Sequence, residues 1–270
     1  MTTPLGDSRD PDAVRNEEFW RKYLENPDSL QAFARPIFSR IPSDPRCQLC
    51  GSPFRGFGGR LMKVIGKEQS DVNPRMCNTC EKVMIGHHGG ATVPGSMLFA
   101  DIRGSTAMAE RVTPGEFHAF LNRYYTIASK TVFAHNGMVD KFVGDELVSV
   151  FPPVLGDNHA RRAVGAALAL LRATGQGDPD GPWVQIGAGV HTGYVWFGAV
   201  GEGDRVELTV VGDPVNVTAR LAAAAGPGEI LVSADAAAAA GLDAGLERRS
   251  LDLKGKEAPT QVVALRIGDA

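Results

Sequence analysis

The last 190 residues of this 270-residue chain contain no cysteine, so no disulfide can staple them and a packed core must hold them together. Long apolar runs are missing as well. The longest candidate, Ala163 to Leu171, falls far short of the roughly 20 residues that span a bilayer. The first residues, Met1-Thr2-Thr3-Pro4-Leu5-Gly6-Asp7, offer neither a basic leader nor an apolar core, which argues against secretion. A net charge of -3 exerts no global pull on nucleic acid or anionic lipid. No internal repeat is visible. These absences predict a cytoplasmic protein without a membrane segment. What is present is ordinary for a folded soluble chain: 43% hydrophobic content and room for one full domain plus a smaller one.

All four cysteines fall in two knuckles, Cys47-Gln48-Leu49-Cys50 and Cys77-Asn78-Thr79-Cys80, with 26 residues between them. In a reducing compartment such pairs point to a metal rather than to two disulfides. Each knuckle offers two sulfurs at bite distance, which fits one structural zinc in a zinc-ribbon-like module. An iron-sulfur cluster is the competing occupant, because cysteine-only ligation suits both. Four thiolates leave no vacancy for His87 or His88. The surrounding charge is mildly basic, with Arg46, Arg55, Arg60, Lys63, Lys67, Arg75 and Lys82 against Asp44, Glu68, Asp71 and Glu81. A solvated surface explains that balance better than nucleic-acid binding. Residues 1–44 form an N-terminal segment in which Phe19, Tyr23, Leu24, Leu30 and Phe33 predict two short helices interrupted by Pro27. Residues 36–60 are dense in proline and glycine and predict little regular structure. The metal-binding module and a linker opening at Gly89-Gly90 occupy 45–92, leaving 93–270 as the main domain.

That domain alternates legibly. Ser96 to Ala100 reads as a buried strand. Thr113-Pro114-Gly115-Glu116 is a capping-box start, followed by Phe117, Phe120, Leu121, Tyr124, Ile127 and Ala128 at helical spacing. Asn136-Gly137 ends that helix, and Met138–Val143 and Glu146–Phe151 flank a Gly144-Asp145 turn, with Pro152-Pro153 stopping the second strand. A helix from about Asn158 to Ala173 follows, then a strand through Val184, Ile186, Ala188 and Val190. Val206 to Val211 leads into a helix capped by Asp213, with Pro214 at its first position. Glu229–Val232, an alanine-rich helix and a tail strand from Gln261 to Ile267 complete the chain. The order predicts an α+β fold with a ferredoxin-like βαββαβ core and additions.

Two carboxylates stand out. Asp101 ends an apolar run in Phe99-Ala100-Asp101-Ile102-Arg103-Gly104-Ser105-Thr106, and Asp145 sits in Lys141-Phe142-Val143-Gly144-Asp145-Glu146. Acids so placed can hold two hard cations over a triphosphate. Asn216 and Arg220 lie one helical turn apart, so their side chains share a face. Each has a plainer reading taken alone: a turn aspartate, or a polar stripe opposite Val217 and Leu221.

Together with Gly-Val-His-Thr-Gly (Gly189 to Gly193) and Val211-Gly212-Asp213-Pro214-Val215-Asn216-Val217-Thr218-Ala219-Arg220-Leu221, these motifs resemble the class III adenylyl/guanylyl cyclase catalytic domain over residues 96 to about 235. The resemblance implies that Asp101, Asp145 and the Ile102 carbonyl bind two magnesium or manganese ions. The small-residue turn through Gly104, Ser105 and Thr106 would offer amides to the phosphates. Asn216 and Arg220 would stabilise the transition state, and Lys141 and Thr209 would select the purine. Lysine can donate to adenine N1 and a short hydroxyl can accept from the exocyclic amine, which favours ATP over GTP. Many relatives carry aspartate where this chain has Thr209, and the threonine subgroup implies bicarbonate as an effector. The family builds its sites across a head-to-tail dimer, so a homodimer of this chain would hold two. His191 reads as structural.

The implied product is 3',5'-cyclic AMP. Val143-Gly144-Asp145-Glu146-Leu147 also bears a superficial likeness to the turn of diguanylate cyclases, but Asn216 and Arg220 have no task there. A non-catalytic cyclase-fold sensor is the third reading, although both aspartates and the arginine are retained.

Overall fold

The computed structural model describes residues 11–26, 30–71, 74–201, 207–256 and 258–268. Met1–Asp7, the break at Pro27 and the expected strand start at Val206 lie outside them. Helices α1 (Pro11–Glu25), α2 (Leu30–Phe38), α3 (Gly56–Val64) and α4 (Asn78–Ile85) precede strand β1 (Gly89–Ile102). Helix α3 corrects the expectation of little regular structure before residue 60. Its nine residues hold together because Gly58, Gly59 and Met62 are buried along one side, so packing overrides the low helix propensity of glycine.

After β1 come α5 (Ser105–Ala109), α6 (Pro114–Ala134), β2 (Met138–Val143), β3 (Glu146–Phe151), α7 (His159–Ala173), β4 (Ile186–Val200), β5 (Glu207–Val211), α8 (Asp213–Ala224), β6 (Glu229–Ser233), α9 (Ala234–Ala240), β7 (Arg248–Leu251) and β8 (Thr260–Leu265). Helix α6 starts on the expected reciprocal cap, with Glu116 N–H donating to Thr113 Oγ1 at 3.3 Å and Thr113 N–H donating to Glu116 Oε2 at 2.8 Å. Tyr124, Ala128 and Val132 recur every four residues as its buried stripe. Helix α8 departs from expectation at its start. Gly212 is the cap residue, and the Asp213 carboxylate is drawn into an ion pair with Lys256 instead.

The sheet runs β2-β3-β1-β4-β6-β8-β7, with β5 paired to the far half of β4. β1 is antiparallel to both β3 and β4, while β4 and β6 are parallel. The four strands β4-β1-β3-β2, crossed by α6 and α7, reproduce the ferredoxin-like arrangement. Helices α6, α7 and α9 cover one face, burying Tyr124, Leu171 and Ala237 against Leu98, Leu147 and Ile186.

The other face is covered by the N-terminal segment and, toward β6 and β8, by α8, whose Val217 and Leu221 pack with Leu231, Val262 and Ala264. Trp20, Leu24, Leu49 and Met84 share a core with Met97, Phe99, Val150 and Phe197, and Trp20 is 0% exposed with its indole N–H donating to the His87 carbonyl at 2.6 Å. The expected linker at Gly89-Gly90 is therefore absent: both glycines lie in β1, opposite Ala199 and Gly198. A Cβ on Gly90 would fall 2.4 Å from the Phe197 carbonyl oxygen, so this glycine marks a close approach of two backbones rather than a joint. No helix among the described residues is long and apolar enough to cross a membrane.

Candidate active site

Strand pairing brings Asp101 and Asp145 together. Ala100 lies opposite Leu147 in the β1-β3 register, and Val143 faces Glu146 across the β2-β3 turn. The last residues of β1 thus finish beside the hairpin tip. Gly144 supplies the positive φ, 61°, that this two-residue loop requires. Helix α6 braces both carriers with adjacent residues. Tyr124 O–H donates to the Ala100 carbonyl at 3.2 Å, and Tyr125 O–H donates to the Gly144 carbonyl. The Tyr125 ring also stacks on Phe142 at 3.9 Å.

Burial and the neighbouring Asp145 carboxylate push Asp101 up to about 6, against which Arg103 pulls downward. Glu146 is pushed up to about 7 by burial and by the same two aspartates. Asp145 Oδ2 is buried with no hydrogen-bond partner. A buried, unpartnered carboxylate oxygen beside a second acid is costly unless a cation neutralises it. These residues therefore fit hard divalent ions, for which oxygen donors are the appropriate ligands. Glu146 and Arg103 were not singled out from the sequence. Arg103 contacts Asp101 at 3.4 Å and donates to the Ala222 carbonyl of α8, fixing the carboxylate end against that helix. The signal available for both was adjacency to the aspartates.

Gly104 precedes α5 in the left-handed conformation, φ 75°, and Ser105 and Thr106 open the helix. Lys141 and Thr209 meet through acidic neighbours. Lys141 Nζ lies 3.1 Å from Glu207 and 3.9 Å from Asp140 Oδ2. Thr209 O–H donates to that same Asp140 oxygen at 2.9 Å. Asp140 sits at a register shift in β2, between Val139 and Lys141. Its carboxyl is raised by burial, with the Thr209 hydrogen bond and Lys141 opposing. On α8, Asn216 is exposed and Arg220 half-buried, while Val217 and Leu221 face inward as the amphipathic pattern required. No hydrogen bond or ion pair among the described residues joins the carboxylate end to Lys141, Thr209, Asn216 or Arg220. His191 is engaged structurally, its Nδ1 lying 2.7 Å from Ser233 Oγ.

The four cysteine sulfurs lie within 4.8 Å of one another, all buried. Cys50 and Cys77 Sγ are 3.8 Å apart, which is no disulfide and matches the roughly 3.8 Å edge of a tetrahedron with 2.3 Å metal-sulfur bonds. Both knuckles are built by backbone: Gly51 N–H returns to the Cys47 carbonyl at 2.9 Å, and Cys77 caps α4 by accepting from Cys80 N–H at 3.4 Å. His87 stacks on Phe19 at 3.5 Å. Two of the basic residues near the cysteines are structural braces. Arg46 donates to the Phe38 and Ile41 carbonyls, and Arg75 donates to those of Val139 and Asp140.

Residues 91–264 match the family described as the adenylate and guanylate cyclase catalytic domain. That is more than half of the chain, and the chain belongs to this family. An adenylate cyclase of Anabaena cylindrica is 34% identical over 135 residues, covering 47% of this chain and 26% of the relative. The uncharacterized protein Rv1319c of Mycobacterium tuberculosis is 35% identical over 183 residues, 64% of this chain and 33% of the relative. The matches span only about a quarter to a third of the length of these curated relatives. Among solved structures, the guanylyl cyclase Cya2 aligns with TM-score 0.59 at 29% identity, covering 65% of this chain and 93% of that one. The adenylyl cyclase CyaB from P. aeruginosa aligns with TM-score 0.56 at 28% identity, covering 66% and 96%.

Proposed function

We propose that this chain converts ATP to 3',5'-cyclic AMP and pyrophosphate at sites formed between two copies of itself. What carries the reading is the unpartnered, buried oxygen of Asp145 beside an Asp101 carboxyl raised by burial and by that neighbour, within a cyclase-family domain. Asp101, Asp145 and the Ile102 carbonyl would hold magnesium or manganese, which when bound lowers the pKa of the ribose 3'-hydroxyl and neutralises the departing phosphates. The 3'-oxygen attacks the α-phosphorus as its bond to the bridging oxygen breaks, so positioning and charge dominate the protein's task. From the other protomer, Arg220 pairs with phosphate oxygens, Asn216 orients the ribose, and Lys141 and Thr209 read the purine. The amides of Gly104, Ser105 and Thr106 face the phosphates in this reading.

For the cysteines we propose a single structural zinc. Sulfurs gathered within 4.8 Å suit one tetrahedral ion, whereas the ligands of an iron-sulfur cluster ring several metal atoms. By chemistry the chain divides into a helical segment (1–44), the cysteine segment (45–92) and the catalytic part (93–270), although the three share one core.

Product analysis with ATP and GTP side by side, in magnesium and manganese and with and without bicarbonate, tests the reading. Cyclic AMP is expected, and absence of any cyclic nucleotide in every condition overturns it. The likeness to a guanylyl cyclase makes cyclic GMP the second reading, decided by the same assay. Asp145→Ala and Arg220→Ala are each expected to be inactive and to regain up to about a quarter of wild-type turnover when mixed, since half the dimers then carry one intact site. Dimers that form without recovery reject the shared site.

A further inference from the structure

A hydroxyl is an ambiguous reader of purines. It can accept from the amine of adenine or donate to the carbonyl oxygen of guanine, by turning its single proton. Thr209 alone therefore gives no basis for choosing one base over the other. Here its proton is committed. Thr209 O–H lies 2.9 Å from Asp140 Oδ2, and an ionised carboxylate can only accept. Asp140 is 7% exposed and Thr209 9%, so water competes poorly for that bond. The other carboxylate oxygen, Oδ1, has no partner, leaving the threonine proton as the one hydrogen bond the carboxylate receives among the described residues. Burial and the nearby Glu207 raise the Asp140 carboxyl, while the Thr209 hydrogen bond, Lys141 Nζ at 3.9 Å from Oδ2 and Arg75 pull toward the ionised acid.

We propose that Asp140 is a specificity-determining positioning residue: by taking the proton of Thr209 it turns that hydroxyl into a fixed acceptor, which admits adenine and refuses guanine. The inference rests on the assignment of Thr209 to the purine contact made above. It also gives the cysteine segment a mechanical part. Asp140 stands at the register shift of β2, where the strand leaves ideal pairing, and the Arg75 guanidinium holds the backbone there through the Val139 and Asp140 carbonyls. Arg75 lies two residues before Cys77, so the cysteine segment secures the acid that orients the threonine.

The test is a double-mutant cycle read as the ATP-to-GTP ratio, in kcat/KM and in the binding of non-hydrolysable ATP and GTP analogues to the full-length protein. Asp140→Ala is expected to lower the ratio about 10- to 100-fold, the range in which one mispaired polar contact falls, mainly through KM for ATP rather than kcat. Thr209→Val is expected to lower it comparably. In the Thr209→Val background Asp140→Ala is expected to change the ratio no further, because its effect passes through the hydroxyl. Additive losses, an unmoved ratio in Asp140→Ala, or a wild type without ATP preference in binding each overturn the proposal. Asp140→Asn serves if the alanine variant does not fold, since it keeps the shape while offering a donor that lets the threonine turn its proton outward. Turnover of ATP with a ratio indifferent to Asp140 leaves the cyclase reading standing. Selective ATP binding that depends on Asp140, without turnover, leaves this assignment standing and sinks the cyclase reading.

Discussion

At the carboxylate end, Asp101 and Asp145 are carried by a strand terminus and a tight hairpin, and consecutive tyrosines of one helix brace both carriers. At the proposed purine-reading end, Lys141 and Thr209 are held by side chains and backbone brought from distant parts of the chain: Asp140, Glu207 and Arg75. The first arrangement sets a strand end beside a turn, each encoded by a short motif and joined by the β1-β3 pairing. The second depends on contacts between segments about 65 to 70 residues apart, and so it can be altered without touching the chemistry. One end is thereby fixed by the fold, whereas the other is open to adjustment by whatever packs against it.

The largest separation of the two ends is expected from Asp145→Ala. Turnover should fall by about a thousandfold or more, while the melting temperature holds or rises, because removing a buried unpartnered carboxylate relieves repulsion against Asp101. Cys77→Ser, or stripping metal with a strong chelator, acts on the opposite end. It is expected to destabilise the covered sheet face by several kcal/mol, in the manner of structural metal sites, with loss of Trp20 burial visible in fluorescence. Arg35→Met comes next. The Arg35 guanidinium, 2% exposed, donates to carbonyls of Leu49, Phe133 and Gly137 at 3.1 to 3.4 Å, and leaving those acceptors unpaired should cost about 3 kcal/mol in denaturant titration.

Acidity offers a finer probe of the carboxylate end. Asp101 and Glu146 are raised to about 6 and about 7, so the metal-free fold takes up protons that the unfolded chain releases. Its stability is expected to increase as pH falls from about 8 through 6 toward the ordinary carboxylate range, and to decline in the reverse direction. Manganese should oppose this trend, since protons and cations compete for the same oxygens. Melting curves with and without manganese that keep a constant separation from pH 8 to 5 would remove the cation from this site. The smallest effect is expected from Arg75→Ala: KM for ATP rises about fivefold, the worth of a hydrogen bond or two, with kcat nearly unchanged.

Most of the cyclase-family half was legible in the sequence because its signals are local. The capping box at Thr113, the glycine turn at Asp145 and the stripe of Tyr124 and Ala128 each depend on residues a few positions apart. The family match over 91–264 accords with that reading. Gly89-Gly90 misled because glycine pairs mark flexible joints and close backbone approaches alike, and only the partner strand distinguishes them. Asp140 was illegible for a related reason. An aspartate before a lysine reads as a solvated strand pair, and nothing local reveals that Thr209, far along the chain, donates to it. Asp213 looked like a cap until Lys256 supplied a competing partner.

Strand β1 runs unbroken for 14 residues from Gly89 to Ile102, a stiff rod of about 45 Å. Three residues separate it from the helix that Cys77 caps and Cys80 lies in, and it ends on Asp101 and Ile102. A shortened protein beginning at residue 93 would start partway along that rod and strip the pairing from Trp196 to Ala199. The bared edge would invite self-association. Any attempt to isolate the cyclase-family half, or to graft it elsewhere, therefore has to keep Gly89 and the residues that seat it.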